Sequence, residues 1–281
     1  MTILCNFKYL KPKSLQEAID ILAIEDSAKN DGSGAASKKV IAGGQSLIPL
    51  MKMGLTDFDI LIDVSEIPEL KIVELKGDFL EVGAMIRHSE LESYSDIGLK
   101  CPILIKVAGQ IGDPQIRHRG TIGGAIAHGD PASDLAGCFM ALKATAVVAS
   151  KQGVREISFA DFYEGFLQTT IKEDELLVSL KFPVNSKNEE FYKISKRAQD
   201  WAISGLVVVE INDQLSFGII SMGSKTLHFE IDKSELSDNL DSVISQIESI
   251  CSPTEDIYAS KQYRLHLLRT FLTKYRNSYL T

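Results

Sequence analysis

Apolar residues Leu15, Ala18, Ile19 and Leu22 recur at the spacing of one helical face. Ser14 and Glu17, three residues apart at its start, have capping-box spacing. Asn30 to Lys39 is rich in Gly, Ser and Lys and reads as a solvent-exposed loop. Val40 to Ala42 is a short apolar strand that runs straight into Gly43-Gly44-Gln45-Ser46. Leu47 to Met53 reads as a helical turn, with Pro49 tolerable near its start, and Ile60 to Val64 as another strand. These elements make a small β/α unit.

A second unit opens with a hairpin, Leu70–Leu75 and Phe79–Met85, about the turn Lys76-Gly77-Asp78. Short helices are expected at His88–Leu91, Pro102–Gln110 and Ser133–Leu142, the last capped by Ser133 or Asp130. Thr145 to Ala149 reads as a strand. A third unit begins near Leu176, with strands at Leu176–Phe182, Phe191–Ile194, Ala202–Glu210 and Leu215–Ser221. Its tail is helical over Leu240–Ile250 and Tyr258–Tyr275, where Tyr263, Leu267, Phe271 and Tyr275 repeat every four residues. The fold class is α+β in three parts: residues 1–60, 61–172 and 173–281.

The chain has 281 residues, 44 % apolar and 24 % charged, with a formal charge of −8. Those are values of a soluble globular protein. The densest basic cluster is only Arg117-His118-Arg119, so a nucleic-acid partner is not expected. No apolar run is long enough to span a membrane, and no secretory leader is visible, which makes a cytoplasmic location the default. Cys5, Cys101, Cys138 and Cys251 are far apart and fit buried thiols, not an iron–sulfur or zinc site. The five histidines have no zinc-like spacing. His128, just after the second glycine pair below, is the one placed to matter, although a structural role is the simpler reading.

Two segments carry the chemistry. Ala42-Gly43-Gly44-Gln45-Ser46-Leu47 and Thr121-Ile122-Gly123-Gly124-Ala125 each join a Gly-Gly pair to an apolar run. Glycines admit positive φ and let a ligand approach the backbone, and consecutive amides form an anion-binding nest. Two such loops can cradle two phosphates; read singly, each is a tight turn. Neither is a Rossmann G-x-G-x-x-G nor a P-loop, so a dinucleotide would need another fold. Asp134 follows Gly124 by ten residues. It either accepts from a ribitol or ribose hydroxyl or satisfies the amides of a helix start.

In these motifs, AGGQSL, GDPQIRHRGTIGG, AHGDPASDL, Glu175 to Leu180 and Lys193 to Ala202, the chain resembles the FAD-binding medium subunit of the molybdenum hydroxylases. That group includes carbon monoxide dehydrogenase, the aldehyde oxidoreductases, nicotine dehydrogenase and the flavin domain of xanthine dehydrogenase. The resemblance runs over essentially the whole chain. It implies two FAD-binding subdomains, residues 1–60 and 61–172, with a fold like that of vanillyl-alcohol oxidase and MurB, and a smaller α+β C-terminal domain. It also implies FAD contacts at Ala42, Gly43, Gly44, Gln45, Ser46 and Leu47 in a first pyrophosphate loop and at Thr121, Gly123, Gly124 and Ala125 in a second. Asp134 would bind the sugar or ribityl part, with Leu177 and Lys193 beside the flavin. His128 joins this set by its position.

The implied partners are a large subunit with a molybdenum cofactor and a small subunit with two [2Fe-2S] clusters, assembled as a dimer of heterotrimers. The substrate, an aldehyde, carbon monoxide or an N-heterocycle, would be oxidised in the large subunit, and no catalytic residue is expected here. Two departures stand out: Ala125 where the family commonly has Asn, and Gly129 where relatives usually have Ala. Relatives of benzoyl-CoA reductase type carry an extra cluster in an inserted loop, which the scattered cysteines argue against. The alternatives are a self-contained FAD-dependent dehydrogenase or oxidase of the same broad fold, and a binding module that has lost FAD.

Overall fold

The computed structural model describes residues 7–24, 36–91 and 93–280. Cys5 and most of the loop expected at Asn30–Lys39 lie outside the described residues. The first unit comprises β1 (Lys8–Leu10), α1 (Leu15–Leu22), β2 (Lys38–Ile41), α2 (Leu47–Lys52) and β3 (Ile60–Asp63). Its three strands are parallel, in the order β1-β3-β2. Ala18 and Leu22 of α1 pack with Ile62, Val64, Ile67 and Leu70. Ser14 caps α1 by accepting from the Glu17 amide at 3.2 Å. The Glu17 carboxylate returns to the amide of Lys13, one residue before the expected reciprocal partner.

The second unit holds β4 (Val73–Lys76), β5 (Phe79–Gly83), α3 (His88–Leu91), α4 (Ser95–Lys100), α5 (Pro102–Ala108), α6 (Pro114–Arg117), α7 (Ile122–Ala127), α8 (Asp134–Ala141), β6 (Thr145–Ser150), β7 (Gly153–Ser158), β8 (Tyr163–Gly165), β9 (Gln168–Thr169) and β10 (Leu176–Pro183). Gly77 takes the left-handed conformation in the β4–β5 turn. The antiparallel sheet runs β4-β5-β10-β6-β7. Thus β10, which the sequence reading assigns to the third unit, is the central strand of the second sheet, paired with β5 on one side and β6 on the other. Periodicity locates a strand but is silent on its partners. The short helices α4, α6 and α7 and the strand β7 were not anticipated. Each is too short, too polar or too glycine-rich to show a period.

The third unit is a meander of β11 (Lys187–Ile194), β12 (Ser204–Ile211), β13 (Gln214–Ile220) and β14 (Leu227–Asp232), followed by α9 (Lys233–Asp238), α10 (Leu240–Ile250) and α11 (Lys261–Tyr279). Every residue of β12 is buried. Its alternation divides two cores: Val207, Val209 and Ile211 face the second unit, while Leu206 and Val208 face α10 and α11. On α11, Leu267, Phe271 and Tyr275 are buried as expected, together with Arg264, Leu268 and Leu272, whereas Tyr263 is exposed. Cys101 and Cys138 are buried free thiols. Among the described residues no helix is long and apolar enough to cross a membrane.

Helix α8 is buried along its whole length and lies on the third sheet. Its approach depends on glycine. A Cβ at Gly218 of β13 would overlap the Gly137 carbonyl, and one at Gly137 would stand 2.5 Å from the Ile220 side chain. Gly218→Ala is therefore expected to destabilise the chain by about 1–3 kcal/mol, the cost of overpacking a core. Thermal unfolding of the purified variant measures this, and an unchanged midpoint would contradict the packing.

Candidate functional site

The first glycine loop leaves the C-terminal end of β2, the end of a parallel strand where α/β sheets bind ligands. Gly44 has φ +71°, the left-handed region where glycine costs least. The Gly44 and Ser46 carbonyls accept from the Ile48 and Leu50 amides and start α2, and the Gln45 side chain donates to the Gly43 carbonyl at 3.1 Å. Among the described residues, the amides of Gly44, Gln45 and Ser46 donate to no backbone carbonyl. Three successive amides thus remain available to an anion.

The second glycine pair is not a loop, contrary to the sequence reading. Gly123 and Gly124 lie in the first turn of α7, capped by Thr121, whose hydroxyl accepts from the Gly124 amide at 3.1 Å. The Gly123 amide donates to the Ala84 carbonyl at 2.8 Å and the Ala125 amide to the Thr121 carbonyl at 3.0 Å. These amides are spent inside the chain. The glycines here serve close approach. A Cβ at Gly123 would stand 2.5 Å from Ala84 Cβ, and one at Gly124 would crowd the capping Thr121 hydroxyl at 2.8 Å, with Ala42 of the first loop in ordinary contact at 3.6 Å. Gly43 packs so closely on Arg119 that a Cβ there would overlap the Arg119 carbonyl and come within 2.9 Å of Gly120. The two glycine segments are therefore in contact, but as loop against helix.

His128 caps the C-terminal end of α7, its amide donating to the Gly124 carbonyl at 3.2 Å. Burial pushes its imidazole below the ordinary range. Gly129, at φ +72°, lies against the backbone of Leu167 and Gln168. A non-glycine residue here would be strained, which gives the second departure from the family pattern a local reason. Ala125 is half-buried against the main core and supplies no side-chain donor. Leu177 is buried in β10 opposite Val148, at the register shift between Leu177 and Ser179.

Asp134 and Lys193 come together. Ser133 is the cap of α8, accepting from the Ala136 amide, so Asp134 is free of that role. Its Oδ2 accepts from Lys193 Nζ at 2.6 Å, and both side chains are almost wholly buried, at 6 % and 5 % exposure. Lys193 also donates to the Gln110 carbonyl at 3.3 Å. The Asp134 Oδ1 atom is buried with no partner. Burial pushes its carboxyl up to about 6, against the opposing pull of Lys193. A buried, unpaired carboxylate oxygen calls for a donor.

Residues that sequence reasoning did not select border the first loop. An open cleft of about 470 Å³ lies between Gly43–Gln45, Lys52, Tyr9, Asp63, Ser65 and Arg119. The sequence gives Tyr9 no element and Asp63 only a strand position, while Arg119 falls in the basic triplet and inside the GDPQIRHRGTIGG run, without a role of its own.

The sequence profile described as the FAD binding domain in molybdopterin dehydrogenase matches residues 5–185. The carbon monoxide dehydrogenase medium chain of Hydrogenophaga pseudoflava is 30 % identical over 272 residues, 92 % of each chain. The glyceraldehyde dehydrogenase medium chain of Sulfolobus acidocaldarius is 30 % identical over 283 residues, 96 % of each. The solved structure of the Hydrogenophaga pseudoflava carbon monoxide dehydrogenase that lacks the Mo-pyranopterin moiety superposes with a TM-score of 0.86 at 28 % identity, over 98 % of both chains.

The Asp134 carboxyl generates a pH prediction. Its folded value, about 6, lies above the ordinary 3.8. Its contribution to stability is thus fully present below about pH 4 and is lost as pH rises through about 6, a loss of order 3 kcal/mol at about 1.4 kcal/mol per unit. Asp134→Asn does not titrate. In the FAD-free chain, the unfolding midpoint of the Asn variant relative to wild type is expected to rise between pH 4.5 and 7; a flat difference would contradict it.

Proposed function

The chain belongs to the family of FAD-binding medium subunits of the molybdenum hydroxylases, and on that premise we propose that it is the flavin subunit of a three-chain oxidoreductase. Its partners in this reading are a large subunit with a molybdenum cofactor and a small subunit with two [2Fe-2S] clusters, as a dimer of heterotrimers in the cytoplasm. The substrate, an aldehyde, carbon monoxide or an N-heterocycle, is oxidised in the large subunit. When bound, FAD supplies the redox chemistry, taking electrons from the iron–sulfur clusters and passing them to an external acceptor.

The observation that carries the reading is the first glycine loop: three successive free amides in a loop seated on Arg119–Gly120. Residues 1–60 and 61–172 contribute one glycine segment each. Ala42 to Leu47 hold the pyrophosphate, and Thr121, Gly123, Gly124 and Ala125 form the wall behind it. Because the second segment has spent its amides, its part is to shape and close. Asp134 offers Oδ1 to a ribityl or ribose hydroxyl, and Lys193 keeps that carboxylate charged and oriented. His128 fixes the end of the wall, and Leu177 gives the flavin an apolar neighbour. The chain's own work is to bind and orient the cofactor and to keep its surroundings dry.

The purified full chain is expected to bind one FAD without a covalent bond, and acid should release it as FAD. Asp134→Ala should raise the FAD dissociation constant about 10- to 100-fold, the worth of a hydrogen bond to a charged group. Restoring Asn at position 125 should tighten binding or leave it unchanged. The FAD-loaded chain alone should not turn over aldehydes, carbon monoxide, purines or N-heterocycles. Steady oxidation at the rate of the native complex would overturn the subunit reading and favour a single-chain flavoenzyme.

A further inference from the structure

A second cleft lies away from both glycine segments, where α4 meets α5 and the chain passes from β10 to β11. Its volume, about 430 Å³, is within the range of small-molecule sites, roughly 300–1,000 Å³. Leu99, Pro102, Ile103 and Val184 give it an apolar wall. Lys100, Lys106 and Lys187 stand around it with a single carboxylate, Glu189. Three cations to one anion is a local reversal in a chain whose formal charge is −8.

The floor of the cleft is a β-bulge. The pairing of β11 with β12 shifts register between Lys187 and Glu190, so Asn188 and Glu189 together stand against one residue of β12. A bulge re-aims the side chains that it carries. This one is held from three sides. Asn188 takes φ +45°, its amide group donates to Glu210 at 2.7 Å, and its carbonyl accepts from the buried Tyr275 hydroxyl at 3.0 Å. Glu189 accepts from the Ile103 amide at 2.9 Å and from the Ser186 hydroxyl, which ties the bulge to α5. Burial raises its carboxyl against the pull of those two bonds, which softens the one negative charge in the cleft. The site is thus formed before any ligand arrives, which lowers the ordering cost of binding.

The lysines differ in what they have left to offer. Lys106 is paired with Glu190. Glu210, across the ladder from Lys187, is already taken by Lys233 and Asn188. Lys100 and Lys187 are exposed, and among the described residues neither makes an ion pair. Two ammonium groups, each with three donors, therefore border an apolar wall. A bare inorganic anion would gain nothing from that wall, and a neutral apolar molecule would leave the cations unmatched.

We infer that this cleft binds a small organic acid with at least two negative charges on an apolar body, its charges met by Lys100 and Lys187 and its body laid on Ile103 and Val184. The inference is independent of the FAD reading. The cleft lies at the first turn of α5, whereas the Gln110 carbonyl that meets Lys193 lies beyond its last.

The test uses the purified full chain with isotope-labelled Ile and Val methyl groups, titrated with phthalate, benzoate, benzamide and inorganic phosphate. Phthalate should bind at millimolar concentration or below and shift the methyl resonances of Ile103 and Val184 before others. It should bind about fivefold or more tightly than benzoate, the upper worth of one exposed charge pair, with benzamide and phosphate weaker still. The double variant Lys100→Gln, Lys187→Gln should lose about fivefold or more of the phthalate affinity with an unchanged unfolding midpoint, and added potassium chloride should act in the same direction. Phthalate affinity of the double variant within twofold of wild type overturns the role of the lysines. Phosphate binding as tightly as phthalate overturns the role of the apolar wall and leaves only a basic surface. Benzamide binding as tightly as phthalate overturns the anion. No shift at Ile103 or Val184 with phthalate at millimolar concentration overturns the site.

Discussion

Gly43 touches the Arg119–Gly120 backbone at a distance that excludes any Cβ, and the site depends on that contact. It is one link of a stack. Residues 119–124 rest in turn on residues 84–88: the His88 amide donates to the Gly120 carbonyl at 3.1 Å, and a Cβ at Gly120 would stand 2.8 Å from the His88 ring. Burial, with Arg117 nearby, lowers the His88 imidazole to about 4, so the ring is neutral where Gly120 packs on it. Gly123 against Ala84 completes the stack. Three glycines hold three stretches of chain together, Gly43 against backbone, Gly120 against the His88 ring and Gly123 against Ala84. The precision of the first loop comes from main chain against main chain, which has few rotamers to vary.

The sequence was legible where a period or a cap was strong. The α1 face, the β4–β5 turn and the α10 span were read closely from Leu15, Gly77 and Leu240–Ile250. The motifs around Gly43, Gly123, Asp134 and Lys193 pointed to the family. What they could not carry was the role of each glycine. A Gly-Gly pair reads alike whether it frees an amide for a ligand or lets two backbones meet. In this chain Gly44 takes a positive φ in the loop, while Gly123 lets α7 approach Ala84. Arg119 and Asp63 escaped because a place in a motif run or at a strand end does not say what the side chain will face. Only the folded chain brings β3 beside the residue before Gly120.

The Asp134–Lys193 pair joins the second and third units at their shared core, since Asp134 opens α8 and Lys193 lies in β11. Taking two charges out of water costs several kcal/mol, and the pair recovers that only with good geometry and further donors. Oδ2 has its donor, whereas Oδ1 does not. An apolar pair of similar volume would serve a merely structural joint as well. The unfinished hydrogen bonding suits a group kept ready for a hydroxyl, which is where the cost of burial is offset.

The central place of β10 in the second sheet sets an order on how the protein is made. The pairs β4–β5 and β6–β7 are local hairpins that can close soon after they are synthesised. Each then presents an unpaired inner edge, because the strand that joins them is not complete until Pro183. Until then the growing chain carries two open strand edges, which are templates for wrong pairing. The wall that carries α7 and Ala84 is finished only when β10 arrives. A nascent chain stalled before residue 176 would therefore hold both glycine segments while the sheet behind Ala84 still had two open edges, leaving that interval as the one in which a chaperone has most to protect.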